Sequence, residues 1–351
     1  MNGRLHIAVV GAGAFGGWTA LALRRRGARV TLLDAWGPGH SRSSSGDETR
    51  VIRAIYGPHP VYVDWTARSF ARWREIEART GHRLYHRTGA LWLFHGDDSY
   101  AQGSLPFLKE AGLNAVEMTP AEAGKRFPQF HLDDVQSLVY EEEAGFLEAR
   151  RGCQVVAEQF TAEGGAYREL TVQPGPIGGG RMERLELSDG SALQADAYVF
   201  ACGPWLGRLF PDVIGDKIRP TRQEVHYFGT PAGDPRFGQD RCPVWFDFDE
   251  LVHYGIPGND RRGFKLADDT RREPFDPTSG DRTVKPERLG AAREYLAFRF
   301  PALAGAPLVE ARVCQYENSP DGHLLLDRHP EADNAWIVGG GSGHGYKFGP
   351  A

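Results

Sequence analysis

The stretch LHIAVVGAGAFGG (residues 5–17) decides the fold of this chain. It opens with a short apolar run, LHIAVV, which is typical of a buried parallel strand. WTALALRRRG (18–27) follows as an amphipathic helix that Gly27 ends, and RVTLLD (29–34) is predicted to be the next strand. Strand, helix and strand within about 30 residues form a βαβ unit, so the sequence predicts an α/β domain with a parallel sheet.

Three glycines occupy the turn between the first strand and the helix. Gly11, Gly13 and Gly16 form the pattern G-x-G-x-x-G. The first two permit a tight turn and close approach of a pyrophosphate, and the third lets the helix pack on the strand. Asp34 ends the second strand, where its carboxylate can accept hydrogen bonds from ribose hydroxyls. The context predicts a dinucleotide site, either NAD or FAD; the alternative is a glycine turn without a ligand.

The rest of the chain alternates between two kinds of region. A long polar loop, GPGHSRSSSGDETR (37–50), follows the βαβ unit, and β-rich, aromatic stretches begin near residue 89 and recur over 217–270. ADAYVFACG (195–203) and AWIVGG (335–340) have the apolar character of central parallel strands. This order predicts a nucleotide-binding α/β domain interrupted by a more antiparallel β domain.

Composition excludes several classes of protein. At 351 residues, with 41% hydrophobic and 25% charged residues, two globular domains are expected. The formal net charge of -5 and the lack of a long basic run argue against nucleic-acid binding. Four scattered cysteines without a C-x-x-C pair predict reduced thiols in a cytoplasmic protein, with no metal site. No segment approaches the roughly 20 apolar residues of a membrane span.

Further segments, distributed along the whole chain, carry a family resemblance. They are GAGAFGG, LLDAWGPGHS, GDETRVIRAIYG, ACGPW, HYGIPG, GFKLAD, RVCQY, PDGHLLLDRHP and GSGHGYKF. In this order they resemble the monomeric sarcosine oxidase branch of the glycine/D-amino-acid oxidase (DAO) flavoproteins. The resemblance implies bound FAD, a monomer, and oxidation of secondary or tertiary amines with oxygen as the electron acceptor.

The resemblance also implies a fold in two domains. An FAD-binding Rossmann-like domain of the glutathione-reductase type, discontinuous in sequence, is expected over 1–85, 148–217 and 322–351. An α+β substrate domain built on an antiparallel sheet is expected over 86–147 and 218–321. Members of the family continue beyond the segment that matches KFGPA (347–351) into a C-terminal helix that packs on the FAD domain.

A large set of cofactor-binding residues is implied by the resemblance. They are Gly11, Gly13, Phe15, Gly16, Asp34, Ser43, Ser44, Thr49, Arg50, Val172, Cys202, Gly203, Trp205, Cys314, Gly343, Gly345 and Lys347. In the family, a cysteine at the position of Cys314 carries FAD through a thioether to the flavin 8α-methyl. By itself, Cys314 is equally well interpreted as a half-buried strand thiol. Ser44 and Ser45 replace a histidine pair, one member of which contributes to flavin attachment in relatives.

For the substrate, the resemblance implies a clamp of two cations. Arg53 and Lys347 would hold a carboxylate through charge-assisted hydrogen bonds, and Arg50 would lie against the flavin ring. Taken alone, the two arginines of TRVIR are equally well solvated loop residues. The catalytic set is completed by Lys265, Tyr254 and His344, with Tyr316 in the substrate site. Lys265 would assist the reaction with oxygen, although a lysine between Phe264 and Leu266 can also be a surface residue.

Two substitutions within the matching segments bear on the substrate. Asp269 stands where the family has a histidine four residues after its lysine, which favours a cationic or hydroxyl-bearing substrate group, unless Asp269 faces solvent. Trp245 stands where sarcosine oxidases have methionine, and it is expected near the substrate. We therefore expect an N-alkyl or cyclic amino acid other than sarcosine. Alternatives are a flavin dehydrogenase that passes electrons to a carrier, an NAD-dependent enzyme, an RNA-modifying flavin domain and a non-catalytic flavoprotein.

Overall fold

The computed structural model describes residues 4–271 and 273–351. Within these ranges the strands are β1 (His6–Val10), β2 (Arg29–Asp34), β3 (Thr49–Ile52), β4 (Tyr85–His86), β5 (Ala90–Phe94), β6 (Ala115–Met118), β7 (Ser137–Glu141), β8 (Gly145–Glu148), β9 (Ala166–Glu169), β10 (Val172–Pro174), β11 (Ile177–Gly178), β12 (Arg181–Met182), β13 (Leu185–Leu187), β14 (Ala192–Leu193), β15 (Ala197–Phe200), β16 (Arg219–Phe228), β17 (Val244–Phe248), β18 (His253–Ile256), β19 (Phe264–Asp268), β20 (Leu308–Asn318), β21 (Leu325–His329) and β22 (Ala332–Gly339).

The α-helices in the same ranges are α1 (Ala14–Arg25), α2 (Pro60–Thr80), α3 (Ser99–Gln102), α4 (Leu105–Glu110), α5 (Pro120–Arg126), α6 (Ala149–Ala162), α7 (Leu206–Leu209), α8 (Pro211–Ile214) and α9 (Pro286–Arg299). Short 3-10 segments lie at Gly203–Trp205, Pro235–Phe237, Pro301–Leu303 and Tyr346–Phe348. None of the described helices has both the length and the apolar character needed to cross a membrane.

The first of the two large sheets has six strands in the order β21-β22-β15-β1-β2-β9. All of its neighbouring strands are parallel except β21 and β22. Ile7 and Val9 of β1 belong to a core with α1, α2 and α6, whereas Ala8 and Val10 belong to a second core on the other face. Because both faces are covered, the strand is apolar throughout, which is the pattern that predicted it.

The second large sheet has eight strands in the order β20-β16-β19-β18-β17-β5-β7-β6. Its pairs are antiparallel except that β17 and β5 run parallel. One face packs against α5 and α9 around Leu91, Leu93 and Leu296. The other face carries Trp92 and Phe246 and belongs to a separate aromatic core. Alternation along each strand therefore decides which side chains face the helices and which face the candidate site.

A small sheet, β3-β8-β4, brings the polar loop of residues 37–50 to the edge of the second sheet. The predicted domain limits at residues 85/86 and 147/148 fall within β4 and β8, two neighbouring strands of this sheet. The division into an FAD-binding domain (1–85, 148–217 and 322–351) and a substrate domain (86–147 and 218–321) stays a proposal.

Candidate active site

The larger cavity begins at the glycine turn after β1. Its volume is about 430 Å³, and its lining includes Gly11, Gly13, Phe15, Asp34, Ser43, Ser44, Arg50, Val172, Cys202, Gly203, Trp205, Gly343 and Gly345. Gly11 has φ +102°, and a β-carbon on it would clash with the carbonyl of Ala201. The turn therefore accepts only glycine and leaves its backbone open to a ligand.

Gly16 lies outside this cavity lining. A β-carbon on Gly16 would clash with the carbonyl of Gly11, so its bare backbone lets α1 approach the turn. The structure thus assigns Gly16 a packing position, as its place in the pattern predicts, and corrects its inclusion among residues that would touch the cofactor.

Asp34 lies at the same end of the cavity but is already hydrogen-bonded. Its Oδ2 accepts from the backbone N–H of Ala12 at 2.7 Å, and its Oδ1 accepts from Trp36 and Gly37, each at 2.9 Å. These bonds fix the carboxylate across the glycine turn. A carboxylate has about four acceptor positions, so the side chain retains capacity for a hydroxyl of a bound nucleotide.

A second cavity, of about 310 Å³, adjoins the first. It includes Arg53, Tyr254, Lys265, Asp269, Cys314, His344 and Lys347, together with Thr49. Arg50, Tyr316, Gly343 and Tyr346 line both cavities, so the two spaces meet at these side chains. Thr49, Cys314 and Lys347 were predicted to contact the cofactor. In the structure they line the second cavity and not the first.

Two cations face the second cavity around one aromatic ring. The guanidinium carbon of Arg53 lies 4.2 Å from the ring centre of Tyr56, and Nζ of Lys347 lies 5.0 Å from the same centre. Arg53 donates to the carbonyl of Ile55, and Lys347 donates to the carbonyl of His344 at 2.8 Å. Within the described part of the chain neither forms an ion pair with a carboxylate.

Glu141 is a buried carboxylate whose charge acts on both Arg53 and Lys347, and three donors of the protein bond to it. It accepts from the backbone N–H groups of Ala54 and Ile55 at 2.7 and 3.2 Å, and from Nε1 of Trp92 at 2.7 Å. Burial raises the pKa of Glu141, and burial together with the charge of Arg53 lowers the pKa of Lys347 well below its usual value. The second cavity therefore favours an anion.

Lys265 lies deeper, against Asp47. The side chain of Lys265 is 2% exposed; its Nζ forms an ion pair with Asp47 and donates to the carbonyl of Thr49 at 3.0 Å. Asp47 also accepts from Arg50 at 2.6 Å and from the hydroxyl of Tyr227 at 2.7 Å. Burial alone would raise the pKa of Asp47, but the charges of Lys265 and Arg50 outweigh it and hold that pKa well below its usual value.

One imidazole and two phenol groups of the second cavity stay uncharged. Burial and the charges of Lys347 and Arg53 lower the pKa of His344 to about 3, so its imidazole is neutral near pH 7. The hydroxyls of Tyr254 and Tyr316 lie 3.5 Å apart, and burial raises the pKa of each. Both tyrosines therefore remain protonated hydrogen-bond donors.

Asp269 faces this cavity in an ion pair that the sequence did not reveal. Its Oδ2 accepts from Nη2 of Arg271 at 2.9 Å, and the guanidinium of Arg271 lies 5.7 Å from the ring centre of Tyr316. Both charged side chains line the cavity. Because Arg271 neutralises it, Asp269 presents a hydrogen-bond acceptor with little net charge rather than an isolated anion.

Trp245 lies elsewhere, and the expectation that it borders the substrate is wrong. Its side chain is 0% exposed and packs among Phe264, Tyr295 and Phe300 on the α9 side of the second sheet. Its neighbour on β17, Phe246, lines the cavity instead. Successive side chains of a strand point to opposite faces of the sheet, so Trp245 faces the core and the next residue, Phe246, faces the cavity.

Comparison with known proteins identifies the family. Residues 6–351 match the DAO family, described as FAD dependent oxidoreductase. The chain belongs to this family. It is 28% identical to monomeric sarcosine oxidase from Bacillus sp. (strain B-0618), over 99% of this chain and 90% of that relative. It is 24% identical to N-methyl-L-tryptophan oxidase from Yersinia pestis, over 98% of this chain and 91% of that relative.

Solved structures share the fold of this DAO-family protein. L-proline dehydrogenase from P. horikoshii superposes with a TM-score of 0.86 at 20% identity, covering 99% of this chain and 90% of the other. Fructosamine oxidase (Amadoriase II) from Aspergillus fumigatus superposes with a TM-score of 0.82 at 22% identity, covering 100% of this chain and 85% of the other. The predicted fold class, α/β with parallel and antiparallel sheets, is confirmed.

The cofactor of the DAO family, FAD, fits the first cavity. The glycine turn at Gly11 and Gly13 would hold the pyrophosphate at the start of α1, with Asp34 at the nucleotide end. The junction at Arg50 and Tyr316 would receive the flavin ring, between the first cavity and the cations of the second. Two buried oxygens in this lining, the Ser44 hydroxyl and Glu317 Oε2, have no hydrogen-bond partner among the described residues.

Cys314 differs from the other thiols of this DAO-family chain. Its sulfur lies 3.3 Å from Nη2 of Arg50, beside the junction of the two cavities. Burial raises the pKa of Cys153 and of Cys242, each to about 12, and also raises that of Cys202. Those three are thus held as neutral thiols, whereas Cys314 is half-buried next to a cation.

Several site residues escaped the sequence analysis. They are Asp47, Trp92, Tyr100, Tyr227, Phe246, Arg271 and Glu317. Asp47 had only a general signal, as an acidic residue in a polar loop, because nothing within that loop indicates its partners Lys265 and Tyr227. The aromatic residues had none, since in sequence they are indistinguishable from core side chains.

Proposed function

We propose that this protein oxidises the C–N bond of an N-alkyl or cyclic amino acid to an imine, which water hydrolyses, with oxygen as the electron acceptor. One observation carries the proposal: Arg53 and Lys347 lie over the same ring of Tyr56, without carboxylate partners among the described residues, in a cavity that adjoins the FAD site. Burial makes a positive charge at either side chain costly, and an anionic ligand bound between Arg53 and Lys347 would compensate that cost.

The α-carboxylate of the substrate is the anion that fits. A planar guanidinium and an ammonium together supply charge-assisted hydrogen bonds to both oxygens of a carboxylate. Tyr56 fixes the guanidinium of Arg53 from one side, and Trp92 lies 5.0 Å from it on another. The clamp is thereby held before the substrate arrives, which orients the amine end toward the junction of the two cavities.

Bound FAD supplies the electron chemistry, taking two electrons from the amine and passing them to oxygen with formation of hydrogen peroxide. The chain's own residues bind and orient the substrate. No side chain of the cavity has to act as a strong base, because an amine that binds in its neutral form carries the reacting electron pair itself. The hydroxyls of Tyr254 and Tyr316 are available to hydrogen-bond that amine. Both ring nitrogens of neutral His344 are engaged, one with the hydroxyl of Tyr56 at 3.2 Å and the other with the carbonyl of Gly322 at 2.9 Å, so His344 shapes the site through Tyr56.

Lys265 contributes a fixed positive charge next to the flavin end of the first cavity. Its contact with Thr49 and its pairing with Asp47 hold the ammonium beside Arg50. A buried cation stabilises negative charge that develops as electrons pass to oxygen. We propose this role for Lys265, and a clamp role rather than an oxygen role for Lys347.

The substrate's side chain would meet an aromatic wall. Trp92, Tyr100, Phe246, Phe248 and Tyr254 line the second cavity. The Asp269–Arg271 pair at the same cavity offers both an acceptor and a donor to a polar substituent. These features support an N-substituted amino acid with an apolar or aromatic portion; among the relatives, one is named for sarcosine and one for N-methyl-L-tryptophan. We also propose that the enzyme acts as a monomer.

We propose further that FAD is joined to Cys314 through a thioether to the flavin 8α-methyl. Forming this bond would break one S–H and one C–H bond, and the two electrons would pass to the flavin and then to oxygen. The sulfur lies beside the cavity junction, 3.3 Å from Nη2 of Arg50, where the ring of FAD is expected. A tether at this point would anchor the ring end of FAD while the glycine turn anchors its nucleotide end.

Anaerobic reduction tests the function. The purified yellow protein is mixed with sarcosine, N-methyl amino acids, proline, pipecolate and glycated amino acids, and bleaching of the flavin absorbance is followed. We expect bleaching with at least one of these acids and none with its decarboxylated analogue. Arg53→Met should weaken binding of the active acid, whereas Arg68→Met, on the exposed face of α2, should not. Equal rates for the acid and its decarboxylated analogue would contradict the clamp.

Admission of air then separates an oxidase from a dehydrogenase. Hydrogen peroxide equal to the amine consumed supports the proposal. If the reduced flavin persists in air and is reoxidised only by an artificial electron acceptor, the protein is a dehydrogenase that serves a carrier.

A further inference from the structure

Glu317 is a buried carboxyl group in the wall of the FAD cavity. It lies on β20, is 5% exposed, and borders the first cavity together with Gln315, the other residue on its side of the strand. Its Oε1 accepts from the backbone N–H of Gly341 at 3.0 Å. Its Oε2 has no partner in the described part of the chain. The group therefore keeps hydrogen-bonding capacity that the protein itself leaves unused.

Glycine backbone, and no cationic side chain, lies next to the carboxyl group of Glu317 among the described residues. A β-carbon on Gly203 would lie 3.3 Å from Oε2, and one on Gly341 would lie 2.9 Å from Oε1. Glu317 forms no ion pair with any described residue, and burial raises its pKa to about 7. An unneutralised carboxyl with such neighbours is costly to bury unless a ligand supplies the missing hydrogen bond.

Its place along the cavity indicates which part of FAD it meets. Gly203 follows the Ala201–Cys202 segment that contacts the glycine turn, so one side of Glu317 is near the expected pyrophosphate. Tyr316, the preceding residue, lines the junction expected to receive the ring. Between the pyrophosphate and the ring of FAD runs the ribityl chain, whose functional groups are hydroxyls.

We propose that Glu317 binds FAD by accepting a hydrogen bond from a ribityl hydroxyl. A hydroxyl can donate to the carboxylate form of Glu317 and accept from its acid form, so a polyol hydroxyl satisfies Oε2 in either protonation state, whereas the carboxylate form would repel a phosphate oxygen. The role is independent of the amine substrate and of the tether at Cys314. It adds a cofactor contact that neither the glycine turn nor the family motifs include.

The test compares two ligands that differ in the ribityl and flavin portion. The full chain carrying Cys314→Ser is freed of FAD, and the dissociation constants of FAD and of ADP are measured by quenching of tryptophan fluorescence. ADP retains the adenosine and pyrophosphate but lacks the ribityl chain. We expect Glu317→Ala to raise the dissociation constant of FAD by about 10- to 100-fold, which is the range for loss of a hydrogen bond to a charged group. The dissociation constant of ADP should not change.

A loop control excludes a purely structural role. Ser342 lies in the same loop as Gly341 but does not line the cavity, and its hydroxyl bonds to Ser319 and Gly340. Ser342→Ala should leave the affinity for FAD unchanged. The proposal would be overturned if Glu317→Ala weakened the binding of FAD and of ADP equally, or did not weaken the binding of FAD. It would also be overturned if Ser342→Ala weakened FAD binding by the same factor.

Glu317→Gln serves where the alanine variant does not fold. This variant keeps the side-chain volume and an oxygen that can accept from Gly341, but it loses the charge. The dissociation constant of FAD should therefore rise by a smaller factor, about 3- to 10-fold, and that of ADP should again not change. Unaltered FAD affinity in Glu317→Gln, measured on a variant that melts as the parent does, would contradict a charge-assisted bond to the cofactor.

Discussion

Lys265 and Asp47 form a buried ion pair next to Arg50, one of the side chains that line both cavities. Lys265 is on β19, in the second sheet, and Asp47 ends the polar loop that follows the βαβ unit, 218 residues earlier. Arg50 and Tyr227 bond to the same carboxylate at 2.6 and 2.7 Å. One acidic side chain thus fixes two cations beside the expected flavin ring.

Replacing the lysine should affect the two halves of the reaction unequally. Lys265→Met removes the fixed charge next to the ring but leaves the Arg53–Lys347 clamp intact. We expect oxygen to reoxidise the reduced flavin about 100-fold more slowly, the scale for loss of one preorganised electrostatic group, with little change in flavin reduction. Stopped-flow absorbance separates the two steps. Lys285→Met, in a half-exposed pair with Glu273 away from the cavities, is the control, and equal slowing of both steps would refute the role.

Replacing the aspartate should affect folding as well. Asp47→Asn leaves Lys265 and Arg50 without their shared counter-charge in a site where Asp47 is only 3% exposed. Breaking a buried pair typically costs about 3–5 kcal/mol, which urea unfolding would measure as a decrease in the free energy of unfolding. Asp64→Asn removes the exposed partner of Arg68 and should cost less than about 1 kcal/mol. Similar losses for the two variants would show that the pair at Lys265 is not stabilising.

Carboxylate binding should depend on the ionisation of Lys347. Burial and the charge of Arg53 lower the pKa of Lys347 well below that of a free lysine. As pH rises through this lowered pKa, the ammonium loses its proton, so the affinity for a carboxylate falls toward alkaline pH.

An amine-free competitor such as phenylacetate isolates this effect, because its own carboxylate stays ionised over the range. Its inhibition constant should rise with pH in the wild-type protein. In Lys347→Met the inhibition constant should be higher than in the wild type at low pH and should lose most of that rise, so that the two proteins converge at alkaline pH. Lys265→Met should keep the rise; if it abolishes it instead, the titrating group is Lys265.

The proposed tether has a direct readout by mass. Under denaturing conditions the wild-type polypeptide should be heavier by one FAD, and Cys314→Ser should have the mass of the polypeptide alone. Cys242→Ser, which alters a buried core thiol, should keep the added mass. A wild-type polypeptide without added mass would show that the cofactor is held only by non-covalent contacts.

Local patterns were enough to predict the nucleotide end of the site. The strand, the glycines and Asp34 are contiguous, and each is dictated by backbone geometry that only certain residues permit. The family resemblance added Arg53, Lys265, Cys314, His344 and Lys347, all of which the structure gathers around one cavity. Their roles stay predictions, because proximity by itself does not assign chemistry.

Residues whose importance depends on distant partners were not predictable. Asp47 matters because Lys265 and Tyr227 reach it from another sheet, and nothing within its polar loop signals that contact. Arg271 is a site residue only because the segment after β19 places its guanidinium 5.7 Å from the ring centre of Tyr316. Glu317 is ordinary in sequence and unusual only in its burial without a cation.

Trp245 and Phe246 give a test of which face of β17 meets the substrate. Trp245→Phe removes ring atoms from the core between Phe264 and Tyr295, so we expect a loss of about 1–3 kcal/mol in the free energy of unfolding and unchanged substrate preference. Phe246→Ala opens the cavity wall where Arg53 lies 5.3 Å from the ring centre, so it should raise KM and shift preference among N-methyl amino acids. Urea unfolding and a substrate panel measure the two effects. A changed preference in Trp245→Phe with none in Phe246→Ala would reverse the assignment of the two faces.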